Sequence, residues 1–174
     1  NTCIIVPIQA FPTWSHALSQ AITLLVGTMT GTADLVAQEV AEVLGSLGYS
    51  PRIQSMENAQ AGIFGSGGVF LVISSTYGNG DVPDNAQALF AQLANERPDL
   101  TRTIYGVIAL GDTTYKATFC QGGLKFDRLL TELGATRVGE PLLHNASSGD
   151  LAEDMACEWV RDWISGELAP AIAA

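Results

Sequence analysis

Apolar residues fall along this chain in two alternating patterns, short continuous runs and longer stretches at helical spacing. Residues 22–26 (ITLLV) are a continuous run ended by Gly27, as in a strand buried on both faces. After a turn over residues 28–32, Leu35, Val36, Val40, Val43, Leu44 and Leu47 recur at helical spacing until Gly45 and Gly48 break it. Residues 49–54 suit a second strand, residues 69–74 (VFLVIS) a strong third, and residues 103–110 (TIYGVIAL) a fourth. Between the last two, residues 86–94 carry Leu89, Phe90 and Leu93 on one helical face. Phe126, Leu129, Leu130 and Leu133 mark another helix, closed by Gly134. A weak fifth strand lies between residues 136 and 143. Leu151, Met155, Trp159 and Trp163 step by four along a final helix, which predicts them as its core anchors, with Glu153, Asp154, Glu158, Arg161 and Asp162 on the other face.

Strands alternating with helices predict a doubly wound α/β domain, with a five-stranded parallel sheet, right-handed crossovers and helices on both faces. The domain spans residues 21–168, with residues 1–20 and 169–174 as tails. Ligands of such sheets bind beyond the carboxyl ends of the strands at a topological switch point, so the loops after strands one, three and four are the places to search. Residues 62–68 (GIFGSGG) precede a strand instead of joining a strand to a helix, so they read as a flexible loop and not a nucleotide fingerprint.

Composition narrows the possibilities. With 174 residues and 47% hydrophobic content, one domain has enough apolar material for a core. A formal charge of -10, from 18 acidic and 8 basic residues, repels phosphate backbones and anionic lipid, so neither nucleic acid nor membrane is expected as a partner. An acidic surface suits docking on basic faces of other proteins, or serves solubility alone. Cys3, Cys120 and Cys157 have neither disulfide-framework nor zinc spacing, and no Lys or Arg precedes Arg52, as a signal peptide's basic region would require. A cytoplasmic protein is the expectation.

Three loops carry the candidate chemistry. The first, Thr28-Met29-Thr30-Gly31-Thr32-Ala33, offers three hydroxyls and backbone amides at the positive end of a helix, either as an anion cradle or as an ordinary helix cap. It matches neither GxxxxGK[ST] nor GxGxxG, and no Lys or Arg lies between Gly27 and Tyr49, so a phosphate here is held by neutral donors. The second loop runs Ser75-Thr76-Tyr77-Gly78-Asn79-Gly80-Asp81. The third runs Leu110-Gly111-Asp112, reaches Tyr115 and continues to Phe119 and Cys120. Two aromatic rings on neighbouring loops beside a phosphate cradle suit a flat flavin ring.

These residues resemble the flavodoxin family, nearest the short MioC-type flavodoxins and the FMN domains of sulfite-reductase-like diflavin enzymes. The resemblance rests on TMTGTA at 28–33, SSTYGNGDVPDNA at 74–86 and GDTTYKATFCQGGLKFDRLLTELGA at 111–135, and runs from about residue 22 to 163. It implies strand order 2-1-3-4-5 and non-covalent FMN. It further implies that Thr28, Thr30, Gly31 and Thr32 hold the phosphate, with Met29 contributing backbone. Thr76, Tyr77, Gly78 and Asn79 would flank the ring from the second loop, and Gly111, Asp112, Tyr115, Phe119 and Cys120 from the third. Tyr77 and Tyr115 are the candidate stacking residues, and Gly78 is the peptide expected to turn its carbonyl to the flavin N5. Asp81, Asp84 and Asp112, with no certain cation nearby, either disfavour added negative charge on the ring or form a solvated rim. Between Tyr115 and Phe119 the loop has one residue more than the family pattern, and Lys116 within it could set a cation near the flavin edge. Cys120 is expected chiefly to pack, and His16 and His144 to be surface or packing residues.

The function implied is that of an electron carrier more than a stand-alone enzyme. It would be reduced by an NADPH-dependent flavin reductase and oxidised by a redox enzyme taking single electrons, both docking at the acidic flavin edge. The alternatives are the FMN domain of a larger diflavin oxidoreductase, a stand-alone quinone reductase, and an FMN-free interaction module. A phospho-receiver is disfavoured because the positions where it needs acids hold Gly27-Thr28 and Ser74-Ser75.

Overall fold

Six strands form one parallel sheet in this computed structural model, which describes residues 20–173. The expectations for Cys3, His16 and the tail through residue 19 lie outside the described residues. In chain order the elements are β1 (Ala21–Gly27), α1 (Thr32–Ser46), β2 (Ser50–Ser55), β3 (Gly68–Ser74), α2 (Asp84–Glu96), β4 (Thr103–Gly111), α3 (Gln121–Glu132), β5 (Thr136–Arg137), β6 (Leu142–Asn145) and α4 (Ala152–Asp162). A wide helical turn (Trp163–Leu168) then leads into α5 (Ala169–Ala173), whose Ala171 and Ile172 lie against the core. The turn widens just before Pro170, which has no N–H to continue the helical ladder. Residues 62–68 are partly ordered into a 3-10 turn (Ala61–Phe64) that buries Ala61 and Phe64.

The sheet order is β2-β1-β3-β4-β5, as the sequence predicts, but the expected single fifth strand is two short pieces. β5 pairs with β4 at Ile104 and Tyr105, and β6 pairs with it from Ile108 to Gly111. Gly139 at φ 72 and Pro141 break the ladder between them. The Trp163 indole donates to the Val138 carbonyl in this break at 2.8 Å and lies over Gly106 of β4, where a Cβ would stand 2.8 Å from the ring.

Period-two alternation sorts the core into two layers. Ile22, Leu24 and Val26 of β1, with Leu71 and Ile73 of β3, face α1 and α4. Leu25, Phe70, Val72, Tyr105 and Val107 face α2 and α3. On the second face the Tyr105 hydroxyl donates to Asp127 Oδ1 at 2.8 Å, and Arg137 Nη1 donates to Asp127 Oδ2 at 2.8 Å, so the one buried carboxylate among the described residues is partnered.

Two helix faces differ from expectation. Leu35 is 56% exposed because the buried stripe of α1 is Ala33, Val36, Ala37, Val40, Val43 and Leu44, and Leu47 falls beyond the helix end. In α4 the buried stripe is Ala152, Ala156 and Val160, leading to Trp163, one position later than predicted; small alanines let α4 lie close to α1. Leu151 is exposed, Met155 is half-buried, and Trp159 is half-buried with its ring stacked on Trp163 at 5.5 Å.

The charge is distributed unevenly between the layers. α1, α4 and the wide turn after α4 hold Asp34, Glu39, Glu42, Glu153, Asp154, Glu158, Asp162 and Glu167 against Arg161 alone. α2 and α3 hold Asp84, Glu96, Asp127 and Glu132 against Lys125 and Arg128.

Candidate functional site

The carboxyl ends of β1, β3, β4 and β6 open onto one cleft of ≈ 790 Å³. Of the sequence-predicted residues, Thr32, Ser75, Thr76, Gly78, Asn79, Leu110, Gly111, Asp112 and Tyr115 form its wall. Thr28, Met29, Thr30, Gly31, Ala33, Tyr77, Gly80, Asp81, Phe119 and Cys120 do not.

The first loop is tied at both ends. The Thr28 N–H donates to Asn85 Oδ1 of α2 at 2.9 Å, and the Gly31 N–H donates to Thr28 Oγ1 at 3.0 Å. Gly31, at φ 91, caps α1 without any side chain capping it. The Asp34 and Leu35 amides are the first to bond the Gly31 carbonyl, so the Thr32 and Ala33 N–H groups lie before the helical ladder begins. An uncapped helix start beside three threonine hydroxyls attracts an anion. Met29 is held from outside, its Sδ accepting from the Asp84 N–H at 3.3 Å, and the Ala33 side chain is buried in the core.

One hydroxyl joins the second loop to the third. Thr76 Oγ1 donates to the Leu110 carbonyl at 3.0 Å and accepts from the Gly122 N–H of α3 at 3.1 Å. Beyond it the chain closes on itself, with the Tyr77 N–H on the Asp81 carbonyl at 2.9 Å and the Asp81 N–H on the Tyr77 carbonyl at 2.8 Å. Gly78, at the tip and at φ 51, makes no hydrogen bond among the described residues. Tyr77 is 47% exposed beside the cleft, and Tyr115, on the wall, is 67% exposed. Gly80 is buried against Thr118 and Gln121.

The third loop is braced by a fourth segment that the sequence reading did not assign to the site. Asn145 Oδ1 accepts from the Thr113 N–H at 2.9 Å and the Ser147 N–H at 3.1 Å, while the Ala146 N–H donates to the Gly111 carbonyl at 2.8 Å. Asp112 Oδ1 accepts from the Ser147 hydroxyl and from the Thr114 N–H, and these bonds hold its carboxyl below the ordinary value. Asn145 and Ser147 follow β6, a strand-end position that the switch-point rule covers; the weakness of the predicted fifth strand concealed them. His144, Lys116, Ala117 and Thr118 also line the cleft, and His144 is buried with its Nε2 3.0 Å from the Asp150 carbonyl, a packing residue and not a surface one.

Cys120 is wholly buried below the loop, where its thiol donates to the Ala109 carbonyl at 3.2 Å, and burial pushes its pKa up to about 12. That is the packing position expected of it. Where the sequence left a cation beside the acids uncertain, the structure supplies one for Asp81: Lys125 Nζ of α3 meets Asp81 Oδ1 at 2.6 Å. The paired charge is largely offset, and Asp81 does not line the cleft.

Comparison with known proteins gives a consistent result. The family model described as flavodoxin matches residues 24–159. The chain is 38% identical over 142 residues to flavodoxin YqcA of Escherichia coli (strain K12), covering 82% of this chain and 95% of that protein. It is 35% identical over 144 residues to protein MioC of the same strain, covering 83% and 96%. Over 128 residues it is 37% identical to the sulfite reductase [NADPH] flavoprotein alpha-component of Shewanella sp. (strain MR-7), covering 73% of this chain but 21% of that one. Among solved structures, a mutant of flavodoxin from Pseudomonas aeruginosa superposes with a TM-score of 0.74 at 31% identity, covering 82% of this chain and 95% of that one.

Proposed function

Because this chain belongs to the flavodoxin family, we propose that its cleft holds FMN with the phosphate on the first loop and the ring between the second and third loops. The observation that carries this placement is the uncapped start of α1 opening beside a ≈ 790 Å³ cleft. The residues present fit the group. The Thr32 and Ala33 amides and the threonine hydroxyls supply neutral donors for a phosphate, and the volume lies within the range of cofactor sites. The protein is an FMN-dependent electron carrier, and FMN supplies the capacity to take up and release electrons singly or in pairs.

Each part of the chain then has a defined task. Thr28 keeps Gly31 in the left-handed turn that aims the helix start at the phosphate, while its own O–H remains able to donate. Thr76 fixes the spacing between the two ring-bearing loops. Gly78, which has no internal bond to break, can present either its N–H or its carbonyl to the ring edge as that edge loses or gains a proton. Tyr115 on the wall, and Tyr77 beside it, would cover the ring faces and keep water from them. The proposed partners are an NADPH-dependent flavin reductase and an electron-accepting redox enzyme, approaching through the open cleft mouth.

No helix among the described residues is long and apolar enough to cross a membrane, and the free Cys120 and Cys157 agree with a cytoplasmic setting as the proposed location. The match to 21% of a sulfite reductase flavoprotein supports a second reading, in which these residues form the FMN domain of a longer diflavin chain. The length of the full gene product distinguishes the two.

The test is a visible spectrum of the protein reconstituted with FMN, desalted and reduced stepwise without oxygen. Retained flavin bands and a long-wavelength band at half reduction are the expected result. Loss of all flavin on desalting would overturn the cofactor assignment, and reduction in a single two-electron step would shift the reading to a quinone reductase.

A further inference from the structure

The charge lining the cleft is balanced, unlike that of the whole molecule. The chain carries a formal charge of -10, yet the charged residues on the cleft wall are Asp112 and Lys116, one of each sign. The Asp112 carboxylate is engaged by the Ser147 hydroxyl and the Thr114 amide. Asp81 is paired with Lys125, and Asp84 accepts from Gln87 Nε2 at 3.0 Å; neither lines the cleft. Lys116 makes no hydrogen bond or ion pair among the described residues. The donors to Asp112 are neutral and leave it negative, so among the described residues Lys116 is the one cation on the cleft wall, and it has no ion-pair partner of its own.

Its position indicates which part of a ligand it meets. The anion cradle follows β1 and Lys116 follows β4, with β3 between them, so two strand spacings, about 10 Å, separate the two loops across the sheet. Lys116 stands at the ring end of the cleft and not at the phosphate end. Resting on the FMN placement above, we propose that Lys116 sets the balance between oxidised and fully reduced cofactor by favouring negative charge on the ring. Above neutral pH, two electrons from dithionite and one proton taken up at N5 convert the neutral oxidised ring into an anion. No bond to the protein forms or breaks. The ammonium attracts the anion and is nearly indifferent to the neutral ring, so it acts on the difference between the two affinities. The side chain is exposed, and the effect is limited accordingly and screened by salt.

The experiment measures dissociation constants of oxidised and of dithionite-reduced FMN, anaerobically at pH 8, for wild type, Lys116→Gln, Lys116→Arg and Arg161→Gln. Arg161→Gln removes the same charge from α4, outside the cleft wall. The expected result is that Lys116→Gln weakens reduced FMN about fivefold relative to oxidised FMN at low salt, that Lys116→Arg restores the ratio, that Arg161→Gln leaves it unchanged, and that 1 M salt abolishes the difference. Equal weakening of both forms would mean that Lys116 serves the phosphate or the loop and would overturn the proposal, as would an unchanged ratio. Failure of wild type to bind either form would overturn the FMN placement itself, a distinguishable result.

Discussion

Replacing Thr76 by Val removes one hydroxyl and almost no volume, and so isolates the bond joining the second and third loops. Two hydrogen bonds are lost, to the Leu110 carbonyl and from the Gly122 amide, and both backbone groups are part-buried. At about 1 kcal/mol each, the variant should be destabilised by about 2 kcal/mol. For a domain of this size that is a fall of about 4–8 °C in melting temperature, with a lower urea midpoint and an unchanged urea slope. Since the same bonds set the spacing of the cleft walls, part of the cost should appear in FMN affinity, up to about 30-fold. Thr76→Ser keeps the hydroxyl and should remain near wild type in both assays. A Val variant matching wild type in midpoint and affinity would refute the argument that this hydroxyl organises the cleft.

Three other substitutions or treatments test separate parts of the structure. Gly106→Ala places a methyl 2.8 Å from the Trp163 ring and should cost about 1–3 kcal/mol, read as a lower urea midpoint; an unchanged midpoint would mean that the indole moves aside freely. The Cys120 thiol, raised from 9.0 to about 12 by burial, should resist iodoacetamide at pH 8 in folded protein and react on unfolding, by peptide mass mapping; its burial stabilises fully below 9.0 and that contribution is lost as pH rises through about 12. Asp112 titrates below its ordinary value of 3.8, so its bonds stabilise the third loop above that value and release it as pH falls through the folded one. Ser147→Ala should therefore move the Asp112 carboxyl titration upward by NMR, and an unmoved titration would exclude that hydroxyl as the cause.

The layered sheet was legible because its central strands are continuous apolar runs, and such runs require cover on both faces. The fifth strand was legible only as a weak signal, because its pairing is divided by Gly139 and Pro141 and the gap is filled by Trp163, a residue far along the chain. Helix faces were off by one position at α4, where Ala152 and Ala156 approach α1 and the larger Leu151 stays in water; residue size alone favours the wrong stripe. The three loops could be found from turn residues at strand ends. Asn85 and Ser147 could not, since a polar side chain bonding a loop 57 or 35 residues away leaves no local pattern. The pairing of Asp81 with Lys125, 44 residues apart, was hidden for the same reason.

The lopsided acidity of the α1 and α4 layer sets up a charge asymmetry from one helix layer to the other, across the sheet, whereas the cleft opens at the carboxyl ends of the strands. In a partner's field such a body is turned before it touches, and a basic protein draws the wrong side toward itself at long range. Productive transfer then requires the first encounter to roll across the surface until the cleft mouth arrives. Moderate salt shortens the reach of the distant charges and loosens that misdirected embrace, while more salt weakens encounter altogether. Electron transfer to a basic acceptor should accordingly pass through a maximum as ionic strength rises, and a monotonic fall would show that the cleft is met face-on from the start.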